Sequence, residues 1–175
     1  VGYDRLVFLI PSVLFSAVSS FLLAYLITKN ELAGFIGSIV YVFNTYILLL
    51  NTGHLTMSVA FSLTPIVFIL YRAALLCRSW KYSIGAGLAS VICAAYEPRA
   101  YFLIASVSAL YLIYTVVFIH KRKIWLIGIL PFLIVGFSNL YWILGFTQTA
   151  ESYVGVALDR QMVGLYDYAI PRAFT

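Results

Sequence analysis

Three ionisable side chains stand apart from the apolar background of this chain: His54, Glu97 and Arg99. Glu97 and Arg99 flank Pro98 in "AAYEPRAYF", a polar triplet set inside an apolar run over residues 84–119. His54 closes the break "NTGH" between two other apolar runs. A carboxylate and a guanidinium two residues apart either pair with each other or present their charges to a ligand. An imidazole offers a hydrogen bond, or a proton near neutral pH. No Walker A loop, Gly-x-Ser-x-Gly, His-Glu-x-x-His or Cys-x-x-Cys accompanies them, so the familiar nucleotide, nucleophile and metal signatures are missing.

The elements that position these residues follow from composition. Of 175 residues, 63% are hydrophobic and 10% charged, against about 25% charged in soluble domains. Mean hydropathy is +1.01. A chain of this size has too little interior to hide so much apolar surface from water, so the sequence predicts an integral membrane protein. The fold class is all-α, a polytopic transmembrane helix bundle with about six membrane helices, over 6–27, 33–50, 57–76, 80–96, 100–119 and 124–146. Residues 1–146 form the membrane domain and 147–175 an external polar tail or the start of a following external segment. The first run is too long for a signal-peptide core and lacks a cleavage site, so it is read as a membrane helix.

The net charge of +5 would suggest nucleic acid in a soluble chain, but no nucleic-acid motif is present, and basic clusters beside apolar spans mark one face of a membrane protein. Lys29, Arg72, Arg78, Lys81, Lys121, Arg122 and Lys123 fall in one set of loops. The positive-inside rule makes that set cytoplasmic. Both ends of the chain, "NTGHLT" and "EPR" then face outside, in a multi-pass cell-membrane protein. Trp80, Trp125 and Trp142 lie near span ends, as interfacial aromatics do. Ser16 with Ser20, and Gly85 with Gly87 and Ala89, are read as helix-packing surfaces. Pro11, Pro65 and Pro131 lie inside spans, where freed carbonyls must be satisfied locally. A helix over 80–96 puts Cys77 and Cys93 about 24 Å apart, beyond disulfide reach. His54 and His120 fall on opposite faces, so no metal site uses both.

The same lengths place the polar triplet. One helix over 84–119 would run about 54 Å against a ~30 Å hydrocarbon core, so the chain turns back at Pro98. Proline pushes Glu97 out of helical angles and starts the next helix itself. The preceding helix is short, which sets the hairpin at or below the outer interface. Charges and broken backbone at that depth are tolerated when buried in protein or lining a wet cavity. Two readings remain: Glu97, Arg99 and His54 line one outward pocket, or the ion pair only braces its turn and His54 is solvated.

The stretch "LAGFIGSIVYVFNTYILLLNTGHLTMSVAFSLTPIVFILYRAAL", a short basic loop, and "GLASVICAAYEPRAYFLIASVSALYLIY" together resemble the membrane domain of GT-C superfamily glycosyltransferases, nearest to the arabinofuranosyltransferase-like group. The shared features are Tyr-x-Phe-Asn ending at Asn44, Gly53-His54, Leu-x-Pro ending at Pro65, and the turn Glu97-Pro98-Arg99. The likeness covers roughly residues 1–146 through short, mostly apolar motifs. It implies transfer of a sugar from a polyprenyl-phosphate donor on the outer face, with a catalytic acid in the first external loop. If residues 6–27 correspond to the second helix of that family, only "VGYDR" of this loop is present, which makes Asp4 the catalytic candidate. Arg99 would hold the donor phosphate, Glu97 orient Arg99 or accept a sugar hydroxyl, and His54 donate a hydrogen bond. The expected partners are membrane lipid, the lipid-linked sugar donor and further membrane subunits. No cofactor is assigned. A transporter or flippase, and a non-enzymatic subunit of a membrane assembly, are the alternative functions.

Overall fold

The computed structural model describes residues 3–45, 47–48, 54–118, 124–140 and 144. Among them are six helices and no strand: α1 (Tyr3–Thr28), α2 (Glu31–Val42), α3 (Leu55–Cys77), α4 (Trp80–Tyr96), α5 (Pro98–Phe118) and α6 (Trp125–Ser138). The chain divides into two compact units, Val1–Phe137 and Ser138–Thr175. Most of the second, with the domain boundary expected after Phe146, lies outside the described residues. Helices α1 to α5, and α6 up to Phe137, belong to the first unit.

The protein is an all-α polytopic transmembrane bundle. Leu9–Thr28 of α1, all of α3 and all of α5 are long and apolar enough to cross a membrane. Its polarity is inverted relative to a water-soluble core. Leu14, Val18, Val40, Leu110 and Phe118 are each more than half exposed, while Ser12, Ser16, Ser19, Ser58, Ser62 and Ser83 are buried. Small hydroxyl residues let apolar helices approach closely and hydrogen-bond where water is absent. Ser19 Oγ of α1 donates to Ser62 O of α3 at 3.0 Å, and Ser38 Oγ of α2 donates to Ala17 O of α1 at 3.0 Å. Thus Ser16 and Ser20, expected as a packing pair, belong to a longer buried serine face. Among the expected glycines, Gly87 is the close-approach position: a Cβ there would lie 2.6 Å from Ile134 Cδ1 and 3.1 Å from Ile134 Cβ. Gly85 faces open space apart from Leu70 at 3.9 Å.

Two expected spans are shorter than read from the sequence. The run over 33–50 is not one helix. It stops at Val42, Phe43 caps it by donating its N–H to Ile39 O, and Asn44 O accepts from Leu48 N–H at 3.0 Å to begin a new turn. Asparagine competes for backbone hydrogen bonds and favours such boundaries, a preference outweighed in the sequence reading by the surrounding apolar run. The 12-residue α2 is about 18 Å long. The run over 124–146 gives the 14-residue α6, about 21 Å. Among the described residues only the three long helices span by length; α2, α4 and α6 pack among them.

The helix starts and stops explain the alternation. Asn30 accepts from Leu32 N–H at 2.8 Å as the N-cap of α2. Lys29 (φ 57°) and Arg78 (φ 51°) end α1 and α3 in the left-handed conformation. Ser79 N–H then bonds Ala74 O at 3.1 Å, closing a Schellman-type end. Side-chain pairings fix the directions. Ala60 meets Cys93 and Leu70 meets Gly85, so α3 and α4 are antiparallel. Ser83 meets Ile127 and Gly87 meets Ile134, so α4 and α6 are parallel. Lys29, Arg78 and Lys81 therefore gather at one end of the bundle, and the α4–α5 turn with the start of α3 lies at the other.

Two of the three intrahelical prolines have their freed carbonyls satisfied by a neighbouring helix. Pro65 has no N–H for Phe61 O, four residues earlier. That oxygen accepts from Tyr41 Oη of α2 at 2.7 Å and from Thr64 Oγ1 at 2.9 Å. Pro131 likewise frees Ile127 O, which accepts from Ser83 Oγ of α4 at 2.6 Å. One residue on, Gly128 O accepts from Tyr71 Oη of α3 at 3.0 Å. Tyr71 and Ser83 are buried. Among the described residues no buried side-chain nitrogen or oxygen is left without a partner.

Candidate functional site

The polar triplet is a one-residue connection. Glu97 N–H donates to Cys93 O at 3.0 Å as the last bond of α4, and Glu97 O accepts from Tyr101 N–H at 3.3 Å as an early bond of α5. Between them Glu97 is extended (φ −159°, ψ 106°), the geometry that Pro98 imposes on its predecessor. Beneath the turn Ala60, Cys93 and Ala100 are fully buried. Their small volumes bring α3, α4 and α5 together there.

Glu97 and Arg99 form a fork. Arg99 Nε donates to Glu97 Oε1 at 2.8 Å and Arg99 Nη2 approaches Oε2 at 3.4 Å, while Arg99 N–H lies 3.5 Å from Oε1. Two roughly parallel contacts fix the plane of the guanidinium as one contact would not. The Glu97 side chain is 15% exposed and that of Arg99 74% exposed. The pair thus has a sheltered anion and an outward-facing cation. The Arg99 hydrogen bond holds the Glu97 carboxyl below the usual glutamate range, opposed by partial desolvation and assisted by the Arg99 backbone N–H and the charges of Arg99 and His54.

His54 is the N-cap of α3 (φ −123°, ψ 66°). It is exposed, its carbonyl accepts from Ser58 N–H at 3.0 Å, and its side chain makes no capping bond. It lies within electrostatic reach of Glu97, so the two polar breaks occupy one neighbourhood at the end of the bundle. Asp4 is in the first turn of α1, and its side chain lies outside the described residues, as do Asn51, Gly53 and His120.

An apolar groove of about 710 Å³ ends one residue from the turn. Pro11 and Phe15 of α1, Val59 and Leu63 of α3, and Ile92 and Tyr96 of α4 line it. His54, Glu97 and Arg99 are not among its walls. The groove suits a hydrocarbon chain, and its wall residue Tyr96 immediately precedes Glu97 in the chain. Among the described residues no three His, Cys, Asp or Glu side chains converge as metal ligands. The hydroxyls of Tyr41, Tyr71 and Ser83 escaped the sequence reading. Their signal was present in Pro65 and Pro131, since each proline announces an orphan carbonyl four residues upstream. Comparison with models of protein families, with curated proteins and with solved structures gives no match.

Proposed function

We propose that this chain is the membrane core of a glycosyltransferase that takes its sugar from a polyprenyl-phosphate donor at the outer face of the cell membrane, the face that bears the α4–α5 turn. One observation carries the reading: an oriented, mostly exposed guanidinium follows, three residues along the chain, the Tyr96 wall of an apolar groove. A polyprenyl-phosphate needs both features together, a cation for its phosphate and a trough for its isoprenoid tail. Arg99 binds the phosphate as a cation on the exposed side of the turn. Glu97 sets the plane of that guanidinium, and His54 donates a hydrogen bond to the same head group. The resemblance to GT-C enzymes supplies the reaction class.

The test uses the full-length protein in membranes, with radiolabelled polyprenyl-phosphate sugars as donors. Arg99→Ala is expected to abolish transfer. Arg99→Lys is expected to weaken it, because an ammonium keeps the charge and loses the fork. Transfer unchanged in Arg99→Ala refutes the reading. A second reading, a non-enzymatic subunit of a membrane assembly, is favoured by the pairing of Arg99 with Glu97, which braces the turn without any ligand. It predicts that Arg99→Ala and Glu97→Gln alter stability equally and leave donor binding undetectable in the parent protein.

A further inference from the structure

A second groove lies at the opposite, basic end of the bundle, between α1 and α3. It is an open trough, lined by Leu23 and Leu26 of α1 and Ile69, Arg72 and Leu76 of α3. Its walls are apolar but for one charge. Arg72 is half-buried and five residues short of the end of α3, about 7.5 Å inside the helix terminus. Among the described residues it makes no ion pair and no hydrogen bond. The carboxylate described at this end is Glu31, exposed at the start of α2 and not paired with Arg72. Lys29, Arg78 and Lys81 share this end with it. An arginine at that depth in a membrane helix requires a counter-charge or water, and the groove beside it has the apolar lining that suits an acyl chain rather than a water file.

We infer that the α1–α3 groove is a binding site for an anionic phospholipid, with the phosphate on Arg72 and one acyl chain along Leu23, Leu26, Ile69 and Leu76. Charge complementarity selects this occupant. A zwitterionic lipid brings its own ammonium to the phosphate, whereas a phosphatidylglycerol-type headgroup leaves the full charge for the guanidinium, and surrounding basic residues raise the local concentration of anionic lipid. This site is independent of the proposed sugar transfer and lies at the other end of the bundle from Arg99.

The experiment is native mass spectrometry of the full chain released from nanodiscs of mixed phosphatidylcholine and phosphatidylglycerol. One phosphatidylglycerol adduct is expected, retained about fivefold or more over phosphatidylcholine. Arg72→Gln should bring the ratio to about one, whereas Arg78→Gln, an exposed charge outside the groove, should leave the preference in place. Leu23→Phe narrows the groove without touching charge and should also reduce retention, which keeps the test decisive if Arg72→Gln does not fold. Equal retention of the two lipids by the parent protein overturns the inference. So does a preference that survives both Arg72→Gln and Leu23→Phe, or an adduct displaced by added inorganic phosphate, which would make this a small-anion site.

Discussion

The hydroxyl of Ser83 should matter only because residue 131 is proline. Ser83→Ala removes one buried oxygen and leaves Ile127 O without its 2.6 Å donor. Few atoms are lost, so the cavity term is small and the orphaned carbonyl dominates. Hydrogen bonds between membrane helices are worth about 0.6 kcal/mol on average and up to about 1.7, and a buried acceptor left unpaired costs about 1–3 kcal/mol. The expected loss is therefore about 1–2 kcal/mol. In a Pro131→Ala background, residue 131 regains an N–H that reaches Ile127 O within α6, and Ser83→Ala should then cost less than about 0.5 kcal/mol. Unfolding of the four proteins of this double-mutant cycle, by steric trapping in bicelles or by SDS titration of the micellar protein, measures the coupling directly. Independent sites add to within about 0.3–0.5 kcal/mol. If the Ser83→Ala cost is the same with proline or alanine at 131, the proline carbonyl is not what Ser83 serves.

Gly87→Ala should destabilise the bundle by about 1–3 kcal/mol, because the new methyl meets the Cβ of β-branched Ile134 at 3.1 Å; Gly85→Ala, facing open space, should be close to neutral in the same unfolding assay. At Arg78, whose left-handed backbone strains any side chain, Arg78→Gly should stay within about 1 kcal/mol of the parent, as relieved strain offsets the lost charge at the helix end. Arg78→Val, by contrast, should lose about 1–2 kcal/mol. Glu97 has a folded-state pKa below its ordinary value of 4.5, so its contribution is complete above that pH and is lost as pH falls through the lower folded value. Hydrogen exchange of the α4–α5 turn should accelerate on acidification below about pH 4.5 after correction for intrinsic rates, and Glu97→Gln should remove that dependence.

Apolar run length and basic loops made the helical architecture and the α4–α5 hairpin readable, because those signals are summed over many residues. Glu97-Pro98-Arg99 was readable as a turn for a stronger reason: proline constrains both itself and its predecessor. The break at Phe43-Asn44 was not, since one asparagine in a long apolar run is compatible with either a continuous helix or a boundary, and tertiary packing decides. The sequence placed His54 and Glu97 on the same side without giving their proximity, which depends on how α3 packs against α4 through Ala60 and Cys93. The orientation of the Arg99 fork and the existence of the two grooves depend on side-chain conformations and helix separations that no spacing rule contains.

The proline carbonyls also imply an order of events. Phe61 O belongs to α3 and takes its interhelical donor from Tyr41 of α2. Ile127 O and Gly128 O belong to α6 and take theirs from Ser83 of α4 and Tyr71 of α3. In every case the donor precedes the acceptor in the chain. A protein synthesised from its N-terminus into a bilayer therefore never has to leave these oxygens waiting in hydrocarbon for a helix still on the ribosome. The helices that bear Pro65 and Pro131 each arrive to find their hydroxyl donors already in the membrane, and moving those donors downstream of their prolines would preserve the finished bundle while exposing its assembly intermediates.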